Sequence, residues 1–288
     1  MKNPDESFIT ADGGLKVLLT PSDVTWFNFL EFSRATNSLR GGWNSKTHWG
    51  KRGVLTLSGD FLKQWTENSL RKHSLPRPRT DLFMLDRSAS EDRSDLERAL
   101  NPVEHASENA LNYALFRRGL GKLKPLEGID VLGYEIPLAE ESDGQLRVDL
   151  FGVSSGGAAI EIIELKKANN TGDSPLLALT EAICYALQTL RCKKHLLKDK
   201  KLEGQPNAFA QINLMLLAPA SYWRYWGERD GLDRDGICKE LQPIVKHVND
   251  GITESGLGSK LALDMRELES IKQDRLQFGA KRGLASSK

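Results

Sequence analysis

The chain has 288 residues, 39% of them hydrophobic and 27% charged, with 25 glycines, 11 prolines and a formal net charge of +1. This composition excludes an intrinsically disordered chain and a collagen-like fibre, and the length suffices for a full α/β core with a smaller appended portion. Three cysteines without a CxxC pair, Cys184, Cys192 and Cys238, argue against a disulfide scaffold and a structural zinc site.

The near-neutral total conceals a segregation of charge. Residues 34–80 hold ten Lys and Arg against two Asp and Glu, a local +8, whereas residues 81–150 hold eight against fifteen, a local −7. Phosphate binding follows the local field, so the overall charge does not exclude a polyanionic partner. No apolar run approaches the roughly 18 residues of a membrane span, and no membrane partner is expected. The opening Met1-Lys2-Asn3-Pro4-Asp5-Glu6 lacks the apolar segment of a secretory signal, which predicts a cytoplasmic protein.

In chain order, residues 1–90 read as a basic, Trp-containing α+β portion. It holds a strand-like run at 15–19, an aromatic-rich stretch at 26–32, a Gly41-Gly42 loop and a second strand at 54–57. Ser58 is placed to cap a helix whose apolar face carries Phe61, Leu62, Trp65 and Leu70. Pro76 and Pro78 among basic residues read as a linker, with a boundary at about 80–92.

Residues 91–288 read as a second domain with its core at about 95–218. A helix is predicted over 92–118 with a break at Pro102, then strands at 131–138, 146–153 and 158–166, a helix over 175–192 and a strand at 212–217. Asp143-Gly144 and Ser154-Ser155-Gly156-Gly157 supply the tight turns of antiparallel neighbours. The near-continuous apolar character of 160–165 and 212–217 predicts a sheet covered by helices on both faces, in the order α-β-β-β-α-β. An aromatic patch (Tyr222, Trp223, Tyr225, Trp226), a helix near 236–249 and a basic tail without a predicted element follow.

Chemistry concentrates in Arg147-Val148-Asp149-Leu150 and in Ile160-Glu161-Ile162-Ile163-Glu164-Leu165-Lys166-Lys167. Residues two apart on a strand share a face, so Glu164 and Lys166 project together while Leu165 points the other way. An acid and a lysine at the end of an apolar strand are costly to bury unless paired or bound to a metal. Asp149 lies on the preceding strand of the same hairpin, within reach of both. Two converging carboxylates suit Mg²⁺, which takes oxygen ligands and completes its shell with water and phosphate. A lysine beside such an ion can orient or deprotonate a water and offset charge in a phosphodiester transition state.

This element order, with Asp and then Glu-x-Lys on the next strand, resembles the PD-(D/E)XK nuclease superfamily and its restriction-endonuclease-like αβββαβ fold. The resemblance implies that Asp149 and Glu164 bind Mg²⁺, with Mn²⁺ as a substitute and the Leu165 carbonyl as a further ligand, and that Lys166 serves catalysis. It also implies a glutamate on the first core helix, Glu108 with Glu104 one turn earlier as the substitute, and a Gln or Tyr on the helix after the lysine strand, Gln188 or Tyr185. The proline of the motif is replaced by Val148. The activity implied is a Mg²⁺-dependent nuclease, a DNA endonuclease first; the alternative is a non-catalytic DNA-binding or complex-assembly protein of the same fold. A homodimer is compatible with either.

For substrate binding, Trp43 and Trp49 interleave with Arg40, Lys46, Lys51 and Arg52 in the basic block, as stacking and phosphate-contacting residues do. Trp65 shares a helical face with Phe61 and Leu62 and reads as core. A second basic knot at 191–201 includes Lys193 and Lys194. Gly152-Val153-Ser154-Ser155-Gly156 matches G-x-S-x-G, but a nucleophile elbow needs a strand-to-helix turn and a strand follows here. The five histidines show no HExxH spacing.

Overall fold

The structure is a computed structural model that describes residues 7–9, 15–17, 24–26, 29–30, 33, 46–48, 54–56, 58–71, 75–79, 107–117, 126–140 and 146–268. Two small antiparallel pairs come first, β1 (Ser7–Ile9) with β2 (Leu15–Val17) and β3 (Lys46–His48) with β4 (Val54–Thr56). The main sheet has five strands, β5 (Ile129–Pro137), β6 (Arg147–Ser154), β7 (Ile160–Leu165), β8 (Gln211–Pro219) and β9 (Lys260–Leu268), and they lie side by side in chain order. Two antiparallel hairpins join β5, β6 and β7, and β8 and β9 then add in parallel, so the sheet is mixed.

The helices are α1 (Gly59–Arg71), α2 (Glu108–Arg117), α3 (Pro175–Leu196), α4 (Ala220–Asp230) and α5 (Arg234–Glu254). The predicted order is found as α2, β5, β6, β7, α3, β8. One sheet face, through Ile160, Ile162, Leu214 and Leu216, shares a buried cluster with α1, α3, α4 and α5. The other, through Ile163, Leu165, Met215 and Leu217, packs against Leu111 and Leu115 of α2. All six residues of β7 are buried, which is why four of them are Ile or Leu and both faces of the strand are largely apolar.

Helix starts follow the capping chemistry of the sequence. Ser58 Oγ accepts the Phe61 N–H, Ser107 Oγ the Ala110 N–H and Ser174 Oγ the Leu177 N–H. Pro175 fills the first turn of α3, where its missing N–H costs nothing. Ser154 belongs to the β6–β7 turn, its Oγ accepting the Ala159 N–H at 2.8 Å, a structural role for the serine of the G-x-S-x-G match. Gly152 is required by space, since a Cβ there would lie 2.8 Å from the Asp130 carbonyl of β5.

Three differences from the sequence reading have physical causes. Residues 75–79 are not a free linker: Pro78 bridges Ala139, Leu75 is buried, and the Pro76 carbonyl accepts from Gln188 and Arg191. Val24, Phe29, Phe61, Leu62 and Trp65 lie in the same buried cluster as the helices on the sheet, so the described part of 1–90 shares that core. Trp65 packs against Phe29, with ring centroids 4.5 Å apart and the rings tilted, and donates its indole N–H to the Val24 carbonyl, as its core reading requires. The boundary at 80–92 and the first half of the 92–118 helix lie outside the described residues. Finally, the C-terminal region supplies α4 and the edge strand β9, neither of which the sequence predicts. Among the described residues, no helix is long and apolar enough to cross a membrane.

Candidate active site

The site forms at the carboxyl end of β7. The β6–β7 ladder pairs Leu150 with Ile163, and the next step of that register sets Asp149 opposite Glu164. There Asp149 Oδ2 accepts the Leu165 main-chain N–H at 2.9 Å. Glu164 and Lys166 extend to the face covered by α3, and both are nearly fully buried, at 3% and 5% exposure. Lys166 Nζ donates to Glu164 Oε1 at 2.6 Å and to Glu181 Oε2, on α3, at 2.9 Å. Glu164 Oε2 is buried and has no hydrogen-bond partner among the described residues.

Glu108, in the first turn of α2, reaches the same strand end from the opposite face. Its Oε1 accepts the Lys167 N–H at 3.2 Å and the Asn170 side-chain amide at 3.0 Å. The loop after Lys166 is fixed from several sides. Asn170 Oδ1 accepts the N–H groups of Gly172 and Asp173, Trp226 donates to the Asn170 carbonyl and Tyr222 to the Asp173 carbonyl. Much of the aromatic patch on α4 therefore clamps this loop, leaving Tyr225 exposed.

The electrostatics follow from burial. Desolvation raises Asp149 to about 7, against the lowering effects of Lys166 and the Leu165 N–H. Burial, then the charge of Asp149, pushes Glu164 well above the carboxylate range. Burial alone would lower Lys166, but Glu164, Glu181, Asp149 and Glu108 outweigh it and hold the ammonium in its charged form. Tyr185, half-buried on α3, is pushed up by burial and then by Glu164, Glu181 and Asp149.

The structure thus brings Asp149, Glu164, Lys166 and Glu108 to one strand end, with Leu165 buried between them. It does not bring Gln188 there. Gln188 is fully buried, its amide donating to the Pro76 and Leu138 carbonyls at 3.2 Å. Seven residues along α3 from Glu181, it shares that helical face but sits about 10 Å further along the axis. Lys193 and Lys194 lie in the last turn of α3, away from the carboxylates, with Lys193 over the Phe209 ring. Lys46 is in β3, opposite Thr56. Arg40, Trp43, Trp49, Lys51, Arg52 and Glu104 lie outside the described residues.

Glu181 is the contributor that the sequence reading missed. A signal existed: it stands one helical turn before Tyr185, on the same face of the same helix. Among the described residues, no group of three or more His, Cys, Asp and Glu side chains is set to hold a metal ion. The acids are instead engaged by donors: Glu164 and Glu181 by Lys166, Asp149 by Leu165, and Glu108 by Lys167 and Asn170. No protein-family model matches the chain, and neither a curated protein nor a solved structure matches it.

Proposed function

We propose that the protein is a Mg²⁺-dependent nuclease of the PD-(D/E)XK, restriction-endonuclease-like kind, hydrolysing phosphodiester bonds in nucleic acid, with DNA the first substrate to test. The observation that carries this reading is Glu164 Oε2, buried without a hydrogen-bond partner among the described residues, in a cluster of four carboxylates facing the single ammonium of Lys166. Ionising Asp149 and Glu164 together is costly there without further positive charge, as their raised carboxyls show, and a bound cation would supply it. Oxygen-only donors fit Mg²⁺ or Mn²⁺ rather than zinc.

Asp149 and Glu164 would hold the ion, which when bound supplies a Lewis acid and a water more readily deprotonated than bulk water. Lys166 would donate hydrogen bonds and positive charge to the phosphate or the attacking water. Asp149 keeps its carboxyl aligned through Leu165, and Glu108 fixes the backbone immediately after Lys166.

The test is cleavage of supercoiled plasmid DNA in Mg²⁺. Wild type should nick or linearise it, Asp149→Asn and Glu164→Gln should not, and Lys166→Ala should bind DNA in Ca²⁺ without cutting it in Mg²⁺. Wild-type cleavage by Asp149→Asn would overturn the reading. Wild-type protein that binds nucleic acid but cuts neither DNA nor RNA would make it a non-catalytic binding protein.

A further inference from the structure

We propose that Glu181 is a positioning residue that takes over Lys166 from Glu164 when a divalent cation enters the site, so that the lysine is handed from one carboxylate to the other. This rests on the metal-dependent reading above and concerns a residue outside the Asp, Glu and Lys set that the resemblance supplies.

Lys166 Nζ bridges Glu164 Oε1 at 2.6 Å and Glu181 Oε2 at 2.9 Å. The two acids are not equivalent. The Glu164 side chain is 4% exposed and that of Glu181 17% exposed, and Glu164 keeps a second buried oxygen that no described residue engages. A cation placed at Glu164 draws on the charge of that carboxylate and repels the ammonium on its other oxygen. A buried ammonium without an acceptor is strongly disfavoured, so Lys166 needs another carboxylate within reach. Glu181 already accepts a hydrogen bond from it.

The helix holds Glu181 in place for this role. Its neighbours Thr180 and Ala182 are buried, and Thr180 Oγ1 is hydrogen-bonded to the Leu176 carbonyl and shares a 2.7 Å hydrogen bond with Ser33 Oγ. The Glu181 backbone is therefore pinned, whereas the four-carbon stem of Lys166 allows its ammonium to swing. Without the Glu181 charge, Lys166 would stay on Glu164 and compete with the cation for it.

The experiment titrates the metal-free protein with Mn²⁺ alone, followed by electron paramagnetic resonance, for wild type, Glu181→Gln, Lys166→Met and the double variant. Glu181→Gln should weaken Mn²⁺ binding about tenfold, and most of that loss should vanish in the Lys166→Met background, the non-additivity expected of residues acting through one another. Glu181→Asp, which keeps the charge, should recover much of the affinity. In cleavage assays, Glu181→Gln should lower kcat with little change in KM. An equal loss in both backgrounds would make Glu181 a direct metal ligand and overturn the proposal, as would wild-type affinity in Glu181→Gln. If Lys166→Met does not fold by circular dichroism, Lys166→Gln completes the cycle. Wild-type protein that binds no Mn²⁺ would instead bring down the metal-dependent reading itself.

Discussion

Asp149 Oδ2 accepts the Leu165 main-chain N–H, so an acid of the proposed metal site is also part of the sheet that carries it. Its two roles can be separated. Asp149→Asn retains an acceptor oxygen and loses the charge, whereas Asp149→Ala leaves the Leu165 N–H without its acceptor, a loss of about 1–3 kcal/mol. Since the native pKa is raised to about 7, the unfolded chain loses this proton well before the native protein does as pH rises. The contribution of Asp149 to native stability therefore falls from about pH 4 to about pH 7 and is level above. Asp149→Asn should abolish that fall, gaining up to about 4 kcal/mol over wild type at pH 8 and nothing at pH 4. Urea unfolding in metal-free buffer at the two pH values checks this.

Glu161 offers the same test away from the site. It lies in β7 on the sheet face opposite Glu164, 3% exposed, and accepts the Asn213 amide at 2.7 Å. Burial lifts it to about 7. A Gln there still offers an oxygen to Asn213, so Glu161→Gln should be more stable than wild type at pH 8 by up to about 3 kcal/mol, equal to it at pH 4, and fully active in cleavage. A matching loss of cleavage would show that Glu161 contributes to the chemistry.

Gln188 should behave as a structural residue. Its amide satisfies the Pro76 and Leu138 carbonyls, and its Oε1 accepts from Arg191. Gln188→Ala should cost about 1–3 kcal/mol of stability by leaving buried groups unpaired, with plasmid cleavage unchanged at temperatures where it is folded. A loss of kcat at unchanged stability would return it to the site.

These cases show what the sequence made legible. The period of two placed Glu164 and Lys166 on one strand face, and the hairpin turn brought Asp149 opposite, because local spacing fixes both. Gln188 shares a helical face with Glu181 and Tyr185, but helical period says nothing about where along its length a helix meets a strand end. For Glu181 the sequence offered little beyond its place one turn before Tyr185, because α3 is buried along most of its faces and no apolar stripe singles out the side against β7. β9 was masked by its composition: Leu261, Leu263 and Met265 alternate as in a half-buried strand, but Lys260, Asp264, Arg266 and Glu267 give the segment the look of a charged tail.

The basic block gives the last prediction. A surplus of +8 over residues 34–80 exceeds anything the acidic segment at 81–150 can offer a phosphate backbone. Neutralising Arg40, Lys46, Lys51 and Arg52 together should weaken DNA binding in Ca²⁺ and lower the slope of log K against log salt by roughly 0.9 for each phosphate that the variant no longer neutralises. The cleavage rate at saturating DNA should hold, because none of the four is proposed to touch the metal. Lys193→Ala with Lys194→Ala supplies a comparison from a second surface, in the last turn of α3, about 18 Å along the helix from Glu181. If both surfaces hold phosphate, the two slope changes should add in the sixfold variant, as independent sites do. Trp43→Ala and Trp49→Ala should lower affinity without lowering the melting temperature if these rings stack on bases, the reverse of the stability loss expected for the buried Trp65. An unchanged salt slope in the fourfold variant would assign the block to a protein partner.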